Sequence, residues 1–180
     1  MNSKLMVTRW IGLLVAVCVF LFDQGTKWYI TGPLGLNVQD DSLTILPIFD
    51  LRFIKNEGVS LGLMRANSEI MRWALVLLTA GIAAGVAWWM LREKKLPDIV
   101  ALGMVLGGAI GNILDRTRLG YVVDFADLHF GAWRPFLVFN VADAAITIGV
   151  IILLFRALFV RDKTAPSADA PAPVENQVNA

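Results

Sequence analysis

Two aspartates stand where a carboxyl could do acid–base work. Asp124 sits in Tyr121-Val122-Val123-Asp124-Phe125, enclosed by apolar side chains, and Asp143 sits in Phe139-Asn140-Val141-Ala142-Asp143, one helical turn after Asn140. Either acid alone reads equally well as a helix cap or a hydrogen-bonded structural carboxylate. Brought together in a poorly hydrated cleft, they behave differently. Like charge and lost solvation raise one pKa, so the pair can share a proton near neutral pH. One carboxylate can then take a proton from water while the other protonates or hydrogen-bonds a scissile carbonyl. The two titrations belong to the pair, not to either residue.

Other polar residues fall at spacings that suit such a site. Asn112 and Arg116 are one turn apart and could grip a carbonyl or phosphate oxygen, although hydrogen bonding between helices explains them equally well. Asp23 and Lys27 are four apart, on one helix face, which favours an ion pair over a direct chemical role. Asn56-Glu57-Gly58-Val59-Ser60-Leu61-Gly62 is a turn whose glycines permit close approach of a ligand, a weak signal by itself. Competing chemistries have less support. A Ser60/Lys55 dyad has no second feature behind it, and no His-Glu-x-x-His ligand group is present. His129, the single histidine, reads as an interfacial side chain, and Cys18, the single cysteine, as a small apolar residue within a span.

The elements that must position these groups are membrane spans. Hydrophobic residues make up 57% of the 180 positions, too many for a soluble domain of this size. A net charge of +1 points to no nucleic-acid partner. Four apolar segments, about 9–29, 72–91, 98–115 and 138–157, predict four transmembrane helices. The first is apolar only from Trp10 to Phe22 and is expected to continue through Asp23, Gln24 and Lys27 to Trp28-Tyr29. A cleaved signal peptide is the rival reading of that segment, weakened by the lack of a small-x-small cleavage pattern. Span three carries Gly103, Gly107 and Gly111 on one face, a small-xxx-small stripe for close helix approach, with Gly108, Asn112, Asp115 and Arg116 on a neighbouring face.

Segment 30–70 holds strand-like runs such as Leu51-Arg52-Phe53-Ile54-Lys55, and residues 164–180, rich in Ala and Pro, read as a disordered tail. Lysine and arginine counts on the two sides nearly tie. The short turn 92–95 and the exit 156–163 favour their own side as cytoplasmic, which makes both termini cytoplasmic. The expected fold is an all-α membrane protein, one domain over residues 1–163, with a small extracytoplasmic β-containing segment. In an up-down-up-down chain, Asp23, Lys27, Asn56, Asn112, Asp115, Arg116, Asp124, Asn140 and Asp143 all share one membrane face. Ionisable groups gathered at one depth suggest a site. A transporter or proton-conducting protein would stagger them across the bilayer, and a non-enzymatic scaffold leaves the acid pair without a purpose. Asp143 is expected to sit rigidly on its helix, and Asp124 to arrive from a loop whose closure sets its position.

Five motifs occur in order: Asp23-Gln24-x-x-Lys27; Asn56-x-Gly58-x-Ser60; Gly107-Gly108-Ala109-x-Gly111-Asn112-x-x-Asp115-Arg116; Val122-Val123-Asp124-Phe125; and Phe139-Asn140-x-Ala142-Asp143. With four spans around them, the chain resembles the lipoprotein signal peptidases (signal peptidase II), aspartyl enzymes that trim lipid-modified prolipoproteins. Leu61 departs from the pattern, standing where the family often has an aromatic residue. The resemblance implies Asp124 and Asp143 as a catalytic dyad. It implies Asn56, Gly108, Asn112, Arg116 and Asn140 as pocket residues, with Asp23, Lys27 and Asp115 in support. It further implies a bacterial inner-membrane location, an active site toward the periplasm, no metal or organic cofactor, diacylglyceryl-modified prolipoprotein substrates, membrane lipid as a partner and inhibition by globomycin-type compounds.

Overall fold

The computed structural model describes residues 3–58 and 68–159. Ser60, Leu61, Gly62 and the 164–180 tail lie outside the described residues. Four helices, α1 (Ser3–Thr31), α2 (Ser68–Arg92), α3 (Leu96–Arg118) and α4 (Val141–Phe159), are each long and apolar enough to cross a membrane. At 1.5 Å per residue, the 29 residues of α1 run about 43 Å. That exceeds a hydrocarbon core of about 30 Å, so one end of α1 reaches beyond it. The helix continues through Asp23 and Lys27 without a break.

Helix α3 is the centre of the bundle, packing against α1, α2 and α4. Its glycines explain why. A Cβ on Gly103 would meet the Gly12 carbonyl at 2.5 Å, and one on Gly107 would overlap the Ala16 carbonyl, both on α1. Gly108 faces the other way, where a Cβ would meet the Ala142 carbonyl of α4 at 2.5 Å. Two glycine faces therefore let two helices approach one, and dispersion and close backbone contact stand in for a hydrophobic drive that lipid does not supply. The outer surfaces are apolar instead: Leu77, Leu78 and Ile82 of α2, and Ile151, Leu154 and Phe155 of α4, are all exposed. At the end remote from the acid pair, Arg156 in the last turn of α4 pairs with Asp98 in the first turn of α3, each charge opposing its own helix dipole.

Across the other end lies a three-stranded antiparallel sheet, β1 (Ser42–Leu46), β2 (Phe49–Asn56) and β3 (Val122–Leu128), in that order. The run 51–55 is strand, within β2. Strand β3 corrects one expectation: Asp124 stands in a strand, opposite Ile54 of β2, not in a loop. Residues 122–127 are all buried, Asp124 and Asp127 included, so the period-2 alternation that marks a half-exposed strand is missing. The start of α4 also moves inward, from about 138 to Val141. Phe139 is held by the sheet through backbone bonds with Ala126, and Asn140 caps the helix.

Replacing Gly107 by Val should destabilise the bundle by about 1–3 kcal/mol through overpacking against α1. Gly85→Ala, on an α2 face where a Cβ meets nothing within 4 Å, should be neutral or stabilising by up to about 1 kcal/mol. Unfolding in mixed detergent micelles measures both; equal effects would contradict the glycine-face account.

Candidate active site

A buried ionic cluster holds the site together. Lys27 Nζ lies 2.8 Å from Asp23 Oδ2 and 2.7 Å from Asp115 Oδ2, and donates to Asn112 Oδ1 at 3.3 Å. All four side chains are buried. Gln24 Nε2 donates to Asp23 Oδ2 at 3.1 Å and to Asp115 Oδ1 at 2.9 Å. The carboxylates also reach other elements: Asp23 Oδ1 accepts the Ala142 N–H of α4 at 2.9 Å, and Asp115 Oδ2 accepts the Val123 N–H of β3 at 3.2 Å. A Cβ on Gly111 would lie 2.6 Å from Asp23 Oδ2, so glycine makes room for the acid.

The two aspartates of the acid pair enter from different elements and meet at Asn140. Asn140 and Asp143 form a capping box at the N-terminus of α4: Asp143 N–H donates to Asn140 Oδ1 at 2.9 Å, and Asn140 N–H to Asp143 Oδ2 at 3.4 Å. The same Asn140 donates through Nδ2 to Asp124 Oδ1 at 2.6 Å. Asn112 Nδ2 donates to Asp143 Oδ1 at 2.8 Å, and Asn56 Nδ2 to Asp124 Oδ2 at 2.9 Å. Three amides thus orient two carboxyls. Asp143 remains partly accessible beside the positive end of α4, whereas Asp124 is 1% exposed.

Burial, and then the nearby Asp143 charge, push the Asp124 carboxyl from 3.8 up to about 6, against the opposing hydrogen bonds from Asn56 and Asn140. Arg116 faces Asp143, Asp124 and Asp115, and its buried Nε has no partner among the described residues. Gly58, whose absent Cβ would lie 3.9 Å from this guanidinium, has φ +76°, and a Cβ there would meet Leu75 Cδ1 at 2.6 Å, so glycine fits on two counts.

Every residue singled out from sequence for the site therefore lies in or beside this network, except Gly108, which packs against α4 without touching the acids. Sequence reasoning gave no role to Gln24, whose amide bridges the two buried acids, nor to the backbone N–H groups of Val123 and Ala142. The spacing of Gln24, beside Asp23 in a charged end of an apolar helix, was the available signal. Lys55 and His129 lie apart: Lys55 sits over the Tyr121 ring, and His129 Nε2 is 3.2 Å from Asp50 Oδ2.

A sequence model of signal peptidase II matches residues 15–159, most of the chain and all of this network. The chain belongs to the signal peptidase II family. It is 57% identical over 164 residues to the lipoprotein signal peptidase of Rhizorhabdus wittichii, covering 91% of this chain and 95% of that one. The corresponding protein of Sphingopyxis alaskensis is 49% identical over 164 residues, covering 91% and 94%. Among solved structures, a bacterial membrane enzyme determined by the in meso method at 1.9 Å superposes with a TM-score of 0.72 at 29% identity, over 83% of this chain and 94% of that one. This signal peptidase II family member is a membrane peptidase with four apolar helices and a three-stranded sheet over one end.

The raised Asp124 ionisation has a stability consequence. The folded protein holds this proton more tightly than the unfolded chain between 3.8 and about 6, so stability is full below that window and falls as pH rises through it. The difference amounts to roughly 3 kcal/mol at about 1.4 kcal/mol per unit. Unfolding free energy of Asp124→Asn should change less than that of wild type between about pH 4 and about pH 7. Equal pH slopes would contradict the burial argument.

Proposed function

We propose that this protein removes signal peptides from diacylglyceryl-modified prolipoproteins, cutting before the lipid-modified cysteine with Asp124 and Asp143 as an aspartyl dyad. The observation that carries this reading is the shared Asn140, which donates through Nδ2 to the Asp124 carboxyl and through its backbone N–H to the Asp143 carboxyl, and ties them into one unit. With one proton between them, the ionised carboxylate takes a proton from a water molecule and the protonated one hydrogen-bonds the scissile carbonyl. Water oxygen adds to the carbonyl carbon, and the second carboxyl passes its proton to the departing amine as the C–N bond breaks. No metal or organic group enters this scheme.

Asn112, Asn140 and Asn56 hold the carboxyls in register, while Arg116, which faces both acids and whose Nε has no partner among the described residues, would meet a substrate carbonyl or developing negative charge. Gly108 admits α4 close to α3 and so sets the distance at which Asp143 is presented. Asp23, Lys27 and Asp115 act through these neighbours. The substrate's acyl chains would hold it at the bilayer, since each buried methylene contributes about 0.8 kcal/mol. The segment 30–70, whose Asn56 touches Asp124, would close over the peptide as a clamp. In this reading the domain spans 1–163 in a bacterial inner membrane, with both termini cytoplasmic and the acid pair toward the periplasm. Globomycin-type inhibitors would occupy the peptide site.

The test is cleavage of a purified lipid-modified prolipoprotein, with the new N-terminus read by mass spectrometry. Asp124→Asn and Asp143→Asn should each fold and lose about 10²–10⁴-fold or more in rate. Normal cleavage by either variant, or wild-type cleavage only on addition of zinc, would sink the dyad.

A further inference from the structure

One end of the sheet carries large apolar side chains that none of the described helices covers. Phe130, Trp133, Phe136 and Leu137 are 48%, 66%, 59% and 86% exposed. Leu46 and Ile48, also exposed, border them, because His129 N–H donates to the Ile48 carbonyl at 3.0 Å and Phe49 pairs with Leu128. Large apolar side chains left exposed together in one short segment mark an interaction site.

The segment is held in shape. Phe130 and Trp133 close a turn through reciprocal backbone bonds of 2.8 and 3.2 Å, with their rings 5.6 Å apart and Gly131 at φ +64°. Arg134 Nε donates to both oxygens of the fully buried Asp127, at 3.2 and 3.0 Å. Phe139 bonds back to Ala126. Arg134 is the one charged residue in 130–139, and this pairing ties it to the sheet while Phe136 and Leu137 are left facing outward.

Where this surface points follows from β3. Its Val123 N–H bonds to Asp115 at the end of α3, and its Phe125 and Ala126 N–H groups bond to the Phe139 carbonyl, beside the start of α4. The strand therefore crosses the end of the bundle and then runs on past the start of α4 to Leu128. Residues 129–138 leave from beyond that rim. Leu137 is only four residues from Val141, where the apolar span of α4 begins, so it lies within about 14 Å of that span.

We propose that Trp133, Phe136 and Leu137 form a wedge that inserts into the interfacial layer of the bilayer beside α4. The occupant of the patch is the phospholipid leaflet, argued from its place just before the apolar span of α4, its aromatic content and the pairing of its one charge, Arg134, with Asp127. Resting on the proposed reaction, the wedge also gauges depth. Through Phe139 it is tied to the strand bearing Asp124, so its insertion sets the height of the acid pair against the membrane that holds a lipid-modified substrate.

The test uses the full chain with Cys18→Ala and Leu137→Cys, labelled with an environment-sensitive fluorophore, in nanodiscs of phosphatidylcholine and phosphatidylglycerol. A doxyl group near the glycerol end of the acyl chains should at least halve the emission and aqueous iodide should leave it nearly unchanged, as for a group buried about 5–10 Å into the headgroup and acyl boundary. Strong iodide quenching without doxyl quenching overturns the proposal. So does doxyl quenching that appears only after lipid-modified substrate is added, which would make the substrate's acyl chains the partner. Repeating the reading in an Asp124→Asn background separates it from catalysis: the wedge stands or falls there whether or not the acid pair cleaves. Phe136→Ser with Leu137→Ser should raise KM for lipid-modified substrate several-fold at unchanged kcat, and an unchanged KM overturns the depth role.

Discussion

Lys27 is a buried ammonium between two buried carboxylates, and the placement of the whole site depends on it. An isolated charge at such a position is strongly unfavourable; a paired and fully hydrogen-bonded one is tolerated. What makes this cluster more than an ion pair is the use of the remaining carboxylate oxygens. Asp23 turns one oxygen to the N-terminal turn of α4, and Asp115 turns its pairing oxygen to β3 as well. The positive end of α4 adds favourable potential for Asp23, and α3 supplies Asp115 from within its own last turn. Four elements thus converge on one cation, and two of them carry Asp124 and Asp143. Removing the ammonium would leave both carboxylates uncompensated, a change of the kind that costs about 3–5 kcal/mol.

From that anchor, a short chain of amides leads outward. Lys27 orients Asn112, Asn112 donates to Asp143, and Asn140 joins Asp143 to Asp124. The two acids are unequal in ways suited to different tasks. Asp124 is buried, held by amide donors from β2 and from the residue capping α4, and retains its proton to about pH 6. Asp143 is partly accessible and sits where a helix N-terminus favours negative charge. In the proposed reaction this asymmetry makes Asp124 the natural keeper of the shared proton and Asp143 the natural base.

Much of this was legible in the residues. Four apolar runs predicted four spans, and their alternation placed the polar residues on one face, because a spanning helix leaves the chain no choice of side. The stripe Gly103, Gly107, Gly111 gave one close packing, and the structure assigns it to α1, with Gly108 serving α4. The Asp23–Lys27 spacing gave the ion pair but not its third member, since Asp115 joins across two helices and sequence spacing says nothing about that distance. Strand β3 is hidden in the sequence because burial on both faces erases alternation, which leaves Asp124 looking like a loop residue. The capping box was half visible in Asn140-x-x-Asp143; that Asn140 also reaches Asp124 depends on β3 crossing the end of the bundle.

The central claim is that Asp124 and Asp143 are electrostatically one unit, and the most direct measurement is an infrared titration of the Asp124 carboxyl, isotope-edited, in wild type and in Asp143→Asn. The Asp143 charge helps hold the Asp124 ionisation up, so removing it should move the midpoint down from about 6 toward the ordinary value of 3.8. A midpoint that stays in place would show that the two carboxyls do not sense each other, and would contradict the account.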